Sequence, residues 1–260
     1  MTLRLLSYNV RYGGTGRDGP LAEVIRAADP DVVVLQEATD AGVVRALAEA
    51  TGLAHHGTRP AHSLGFLSRL PVRHHAWHQP ARSHHAFLEL ALDGTEWRVF
   101  GLHLRAWFSK WTERRRAEEI RLLLDGIRDH QHGPHVVVGD FNALAPGERL
   151  EVARMPRWIR VMIWVSGRDI ARDTIRTMLD EGYADAYRLH HAEIAGPTFP
   201  TWDPHLRLDY AFVPSRDAGR VGRCAVVTTP DVARTASDHF PLLVELGSRD
   251  AGSLTRAGER

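Results

Sequence analysis

The chain has 260 residues, 43% of them hydrophobic, enough to bury a substantial core in one α/β or layered domain. Its formal net charge of +1 excludes binding of nucleic acid by bulk charge alone, leaving only local basic patches. The lone Cys224 rules out an internal disulfide, and no run approaches the roughly 20 apolar residues of a membrane span. Met1–Val10 is too short an apolar stretch for a signal peptide, so a cytoplasmic location is expected.

The run Leu3–Val10 reads as a strand that ends in a glycine loop, and Asp31–Glu37 as a second, fully buried one. Between them Pro20–Ala28 opens on proline and keeps helical spacing. A second helix is expected over Asp40–Ala50, then short strands at Gly65–Ser68, Ala86–Leu92 and Glu96–His103, with Asp93-Gly94 as a hairpin turn. Trp111–Asp129 has Ile120, Leu123, Leu124 and Ile127 at helical spacing, and Arg114, Arg115, Arg116, Glu118 and Glu119 read as its solvated face. His135–Gly139, Arg207–Val213 and Phe240–Leu246 read as further strands. Residues 1–247 are expected to form one catalytic domain, with 148–182 an apolar and helical insertion and 248–260 a disordered tail. Within the insertion, Met155–Val165 is strongly apolar and precedes a helix over Asp169–Leu179.

Several of these strands end in a polar side chain. Asn9 follows the first, Glu37 ends the second, His103 ends another, and Asp140 and Asn142 follow Val136–Val138 in Gly139-Asp140-Phe141-Asn142. Asp209 lies in Leu208-Asp209-Tyr210, and Ser237-Asp238-His239 precedes the last strand. Singly, each could cap a helix or make a turn. Jointly, Glu37, Asp238 and the Asn9 amide are oxygen ligands of the kind that suit Mg²⁺ or Mn²⁺, with His103 and His239 beside the ion rather than on it.

The ordered set Ser7-Tyr8-Asn9-Val10, Leu35-Gln36-Glu37, Gly101-Leu102-His103-Leu104, Gly139-Asp140-Phe141-Asn142, Leu208-Asp209-Tyr210 and Ser237-Asp238-His239 resembles the endonuclease/exonuclease/phosphatase superfamily. The resemblance runs from about Leu3 to Leu246 and rests on six motifs in the family's order. It implies a four-layer α/β/β/α sandwich of two mixed β-sheets, DNase I-like, and hydrolysis of a phosphoester with Mg²⁺ or Mn²⁺. It also implies roles for the residues: Glu37 as principal metal ligand, Asn9 and Asp238 supporting the metal shell, and Asp140 activating the attacking water. Asn142 would hold a phosphate oxygen, His239 oriented by Asp209 would serve as acid–base or charge stabiliser, and His103 would donate to a phosphate oxygen.

The substrate is less defined. Val10-Arg11 follows Asn9 where many apurinic endonucleases place a second acidic residue, which weighs against abasic DNA. Five of the seven tryptophans sit in segments tethered to the motifs: Trp107, Trp111, Trp158, Trp164 and Trp202. With Arg157, Arg160 and Arg168 they could rim the site, either at a lipid surface through 155–165 or as a platform for nucleic-acid bases. A phosphodiesterase acting on a lipid headgroup or small phosphodiester is the leading reading. The alternatives are a DNA or RNA nuclease and, last, a non-catalytic binding module. Nothing points to a protein partner. The pairs His55-His56, His74-His75 and His84-His85 raise a transition-metal site, but their setting in loops and strand ends reads as exposed.

Overall fold

The structure, a computed structural model, describes residues 2–106, 109–131, 133–148, 150–155, 157–165 and 170–248. In chain order its elements begin β1 (Leu3–Asn9), α1 (Asp18–Ala28), β2 (Val32–Gln36), α2 (Ala41–Thr51), β3 (His55–Arg59), β4 (Leu64–Ser68) and β5 (Val72–His78). They continue β6 (Phe87–Leu92), β7 (Arg98–His103), α3 (Lys110–His130), β8 (His135–Asp140), α4 (Arg157–Val165) and α5 (Asp173–Asp180). The chain closes with β9 (Tyr183–Asp185), α6 (Ala186–His190), β10 (Asp209–Pro214), β11 (Val221–Val226), α7 (Ala233–Ala236) and β12 (Leu242–Leu246).

The strands form two six-stranded mixed sheets, ordered β11-β12-β1-β2-β4-β3 and β5-β6-β7-β8-β10-β9. Alternation along each strand divides its side chains between two cores. Leu3, Leu5, Val32 and Val34 of the first sheet meet Leu88, Leu90, Val136 and Val138 of the second in the central core. On the first sheet's outer face Leu6, Tyr8, Val33 and Leu35 pack under Leu21, Val24 and Ile25 of α1 and Leu47 of α2. Phe100, Leu102 and Val137 pack under Ile120, Leu123 and Leu124 of α3 and Ile175 of α5. This is the four-layer α/β/β/α sandwich. Each fully buried aliphatic side chain contributes about 1.5–3 kcal/mol, so three continuous cores comfortably hold the layers together.

Strand direction then gathers the polar chain ends. β1 and β2 are parallel, as are β7 and β8, so Asn9, Glu37, His103 and Asp140 all leave their strands at matching ends. β10, β12 and β4 run antiparallel to these neighbours and therefore enter the sheets there, presenting Asp209, the Ser237–His239 turn and Ser63. Gly139 is required on β8: its φ is +150°, and a Cβ would stand 1.9 Å from the Leu102 carbonyl oxygen.

Three expectations change. The polar face of α3 is not wholly solvated: Glu113 and Arg116 are buried, Arg116 Nη2 bonds Glu113 Oε2 at 2.6 Å, and Glu113 Oε1 accepts Thr174 N–H of α5 at 2.8 Å. Arg116 also donates to the Arg105 carbonyl at 2.9 Å, and Glu119 accepts the His84 and His85 N–H groups, both at 2.8 Å. The cause is that α5 and the loop before β6 cover that face. The histidine-rich stretches His55–Arg59 and Val72–His78 are outer strands, with half-exposed side chains that conceal the strand period. The helix expected from Asp169 starts at Asp173; residue 169, Trp107 and Arg168 of the expected rim, and tail residues 249–260 lie outside the described residues.

Within the apolar stretch, Arg157–Val165 forms the amphipathic helix α4, whose Ile163 is buried with Leu144, Met155, Ile170, Leu206 and Leu208. Its other face leaves Trp158, Val161 and Trp164 exposed at 52%, 60% and 64%. No helix among the described residues is long and apolar enough to cross a membrane.

Candidate active site

Asp140 is the focus. Its Oδ2 lies 3.1 Å from Asn9 Nδ2 and 3.8 Å from both His103 Nε2 and His239 Nε2, while Oδ1 accepts the Asn142 N–H at 2.9 Å. His239 Nδ1 is 2.8 Å from Asp209 Oδ2, and the Asp209 backbone start is pinned by the buried Thr198 hydroxyl, which accepts the Leu208 and Asp209 N–H groups. Asn9 Nδ2 also reaches Glu37 Oε1 at 3.3 Å, bridging the two sheets and two carboxylates. Its Oδ1 accepts the Arg11 N–H at 2.9 Å, so in this arrangement Asn9 links the carboxylates through its amino group. Glu37 Oε2 accepts the Tyr12 N–H at 2.6 Å, and Asp238 pairs with Arg11 Nε at 3.3 Å. The Ser237 hydroxyl donates to the Asn9 carbonyl at 2.7 Å, tying the last loop to β1.

The two histidines are held in opposite states. Burial drives His103 below the ordinary imidazole value, helped by the neighbouring His85 and His239, so it is neutral near pH 7. Its Nδ1 meets the Ser63 hydroxyl at 3.1 Å. Burial opposes charge on His239 too, but the Asp209 and Asp140 carboxylates outweigh it and raise its pKa, favouring imidazolium. Burial and the like charge of Asp209 push the Asp140 carboxyl well above the usual carboxylate range. Environments that separate titratable neighbours in this way mark acid and base partners.

Strain points to the same place. Of seven non-glycine residues with positive φ among the described residues, Arg11, Tyr12, Glu37, Ser63 and Asn142 adjoin these contacts. Such conformations cost about 1–3 kcal/mol each and persist where surrounding packing enforces them.

All eight residues expected to carry chemistry thus fall at one end of the sheets. Asp140, Asp209 and His239 bring ligand atoms within 4.8 Å of one another; Glu37 joins through Asn9, Asp238 stands across Arg11, and Asn142 Nδ2 donates to the Leu104 carbonyl at 2.9 Å. Ser63, Thr198 and Tyr12 also contribute but carry no mark in the sequence that points to the site, whereas Ser237 belongs to the Ser237–His239 motif. Of the rim, Trp202 is 64% exposed and stacks edge-on to Phe199, whose ring lies 4.8 Å from that of His239. Trp111 is exposed under the Arg115 guanidinium, 3.9 Å from its ring centre.

Four carboxylates, Glu37, Asp140, Asp209 and Asp238, converge here against the cations His239 and Arg11, a local deficit of positive charge, while burial first and the like charge of Asp209 second raise the Asp140 pKa. An oxygen-rich set with this deficit fits a hard divalent cation.

A two-sheet sandwich with buried carboxylates and histidines at its strand ends defines a hydrolase of phosphoric esters. The profile of the Endonuclease/Exonuclease/phosphatase family matches residues 6–239, and the chain belongs to that family, whose enzymes depend on divalent metals. The fold is similar to that of a 3' phosphatase, NExo, from Neisseria bound to product DNA hairpin, with a TM-score of 0.69 at 20% identity, covering 95% of this chain and 100% of that one. It is also similar to an AP endonuclease from Archaeoglobus fulgidus, TM-score 0.68 at 16% identity over 93% and 98% of the two chains. Humanized D. rerio TDP2 gives 0.65 at 17% identity over 95% and 99%. No curated protein sequence matches the chain.

Proposed function

We propose that residues 1–247 act as one Mg²⁺- or Mn²⁺-dependent phosphodiesterase domain in which Asp140 takes a proton from the attacking water. The observation that carries the reading is the gap around Asp140 Oδ2, 3.8 Å from each of two histidine nitrogens and 3.1 Å from an amide. Such a gap admits a water or phosphoryl oxygen in hydrogen-bond reach of all three. Glu37 would hold the cation, with Asp238 and Asn9 supporting it; when bound, the ion supplies Lewis acidity and neutralises phosphate charge. Asn142, with one Nδ2–H on Leu104, keeps its second for a phosphoryl oxygen. His239 presents an imidazolium Nε2–H to the charge growing at phosphorus, and neutral His103 donates beside it.

The test is hydrolysis of a chromogenic phosphodiester and the matching monoester, plasmid and single-stranded DNA, RNA and sphingomyelin, with Mg²⁺, Mn²⁺ or EDTA. Diester turnover that disappears in EDTA is expected. Hydrolysis of the monoester alone, or turnover untouched by EDTA, overturns the reading.

For the substrate, the exposed face of α4 favours a lipid headgroup. A groove of about 670 Å³ runs past Val152, Arg157, Arg160, Val161 and Trp164, pairing guanidinium groups with apolar surface as an anionic bilayer interface requires. The helix is rooted in the cluster holding Leu206 and Leu208, next to Asp209, and Phe199, next to His239, so a surface bound there would lie near the catalytic groups. Sedimentation with anionic vesicles is expected to bring down the protein and to fail for Trp158→Ala/Trp164→Ala. Equal binding by the double variant would count against the lipid reading, and preferential retention of single-stranded DNA would favour a nuclease of the same family.

A further inference from the structure

A second group of metal-ligating side chains lies away from the catalytic end, on the outer face of the second sheet. Glu89 of β6 sits opposite Ala76 of β5 in the strand register. Because Ala76 has only a methyl group, His74 and His78 on either side converge over it onto Glu89. His78 Nε2 is 2.6 Å and His74 Nε2 3.6 Å from Glu89 Oε2, and the three ligand atoms all lie within 4.8 Å of one another. Arg98 of β7 engages the other oxygen, Oε1, which leaves Oε2 directed at the histidines. The His130 ring stacks on His78 with centroids 3.8 Å apart and brings Nδ1 within 3.7 Å of Oε2.

We propose that His74, His78 and Glu89 form a transition-metal site of the Zn²⁺ class, with water as fourth ligand, that clamps the outer strand β5 to β6. Two imidazoles and one carboxylate are the donors such an ion prefers, whereas Mg²⁺ and Ca²⁺ require oxygen. Ligands at about 2.0–2.1 Å in a tetrahedron stand roughly 3.3 Å apart, so the 3.6 Å pair is already at the needed spacing and the His78 contact opens by about 0.7 Å. Protonation agrees with ligation: burial keeps His78 below its ordinary value, and its contacts with His78 and Arg98 hold the buried Glu89 ionised. Arg98 and His130 play the outer parts, one fixing the carboxylate and the other the ring plane of His78. His130 also ends α3, so the negative end of that helix lies beside the cluster. The neighbouring His75 instead packs against Phe66 and Trp77.

The experiment is calorimetric titration of Zn²⁺ into tag-free protein in excess Mg²⁺, for the wild type, His74→Gln and Glu89→Gln, with Tm measured alongside. His74 is 53% exposed, so its replacement leaves the fold intact. One equivalent of Zn²⁺ is expected in the wild type with a rise in Tm. His74→Gln is expected to weaken binding by roughly 100-fold and abolish the rise, with Mg²⁺-dependent turnover unchanged. Equal stoichiometry and affinity in wild type and His74→Gln, or no Zn²⁺ uptake by the wild type, overturns the site.

Discussion

Asp140→Asn is expected to lower kcat by about 10³–10⁴-fold with KM little changed, the loss of a general base from a site that otherwise keeps its shape. Asparagine is isosteric, and its oxygen still accepts the Asn142 N–H that now bonds Oδ1. Binding groups on Glu37, His103 and Asn142 are untouched, so the loss belongs to the chemical step. Stability is expected to change little, because removal of a carboxylate whose pKa is raised by burial and by the like charge of Asp209 offsets the loss of the Asn9 Nδ2 hydrogen bond to Oδ2. Steady-state kinetics and thermal unfolding check both parts. Near wild-type turnover in a folded variant would remove Asp140 from the mechanism.

His239→Gln is expected to cost about 10²–10³ in kcat, the usual effect of deleting one donor to developing phosphoryl charge. Glutamine is preferable to alanine because Asp209, buried and 2.8 Å from His239 Nδ1, keeps a partner. Asp209→Asn separates positioning from direct action. Without that carboxylate the imidazolium loses its main support, so the alkaline limb of the kcat profile moves to lower pH while KM holds. An unshifted profile would mean that Asp209 only packs. The stability linkage has a definite sign. The folded His239 pKa is raised, so its contribution is full below the unfolded value of about 6.5 and is lost as pH rises through the raised folded value. In EDTA, chemical unfolding of wild type and His239→Gln is therefore expected to differ more at pH 6 than at alkaline pH.

These outcomes depend on residues that the amino-acid order makes visible in different degrees. Buried strands such as Val32–Gln36 and His135–Asp140 are continuous apolar runs, and a charged residue at their end stands out because it has no reason to be there without a partner. Ser63 and Thr198 carry no such mark. Each lies in a loop of ordinary composition and matters only because β4 enters beside His103 and the turn before β10 folds onto Asp209. Arg116 shows the converse: helical spacing records which residues share a face, but not that Glu113, its partner at 2.6 Å, is covered by α5 through the Thr174 N–H.

The sequence by itself determined the layer types, the order of six motifs and the chemical kinds of side chain at the strand ends, since these follow from local periodicity and residue identity. Tertiary structure decided which oxygen faces which nitrogen, and so the protonation of Asp140, His103 and His239, because burial and charge proximity are set by contacts between residues 30 to 131 positions apart. It likewise decided that His74 and His78 meet Glu89 while His75 does not, a consequence of strand register and alternation. Direction does the rest: parallel strands deliver their ends and antiparallel strands their beginnings to one edge, and that edge is where the candidate catalytic side chains are gathered.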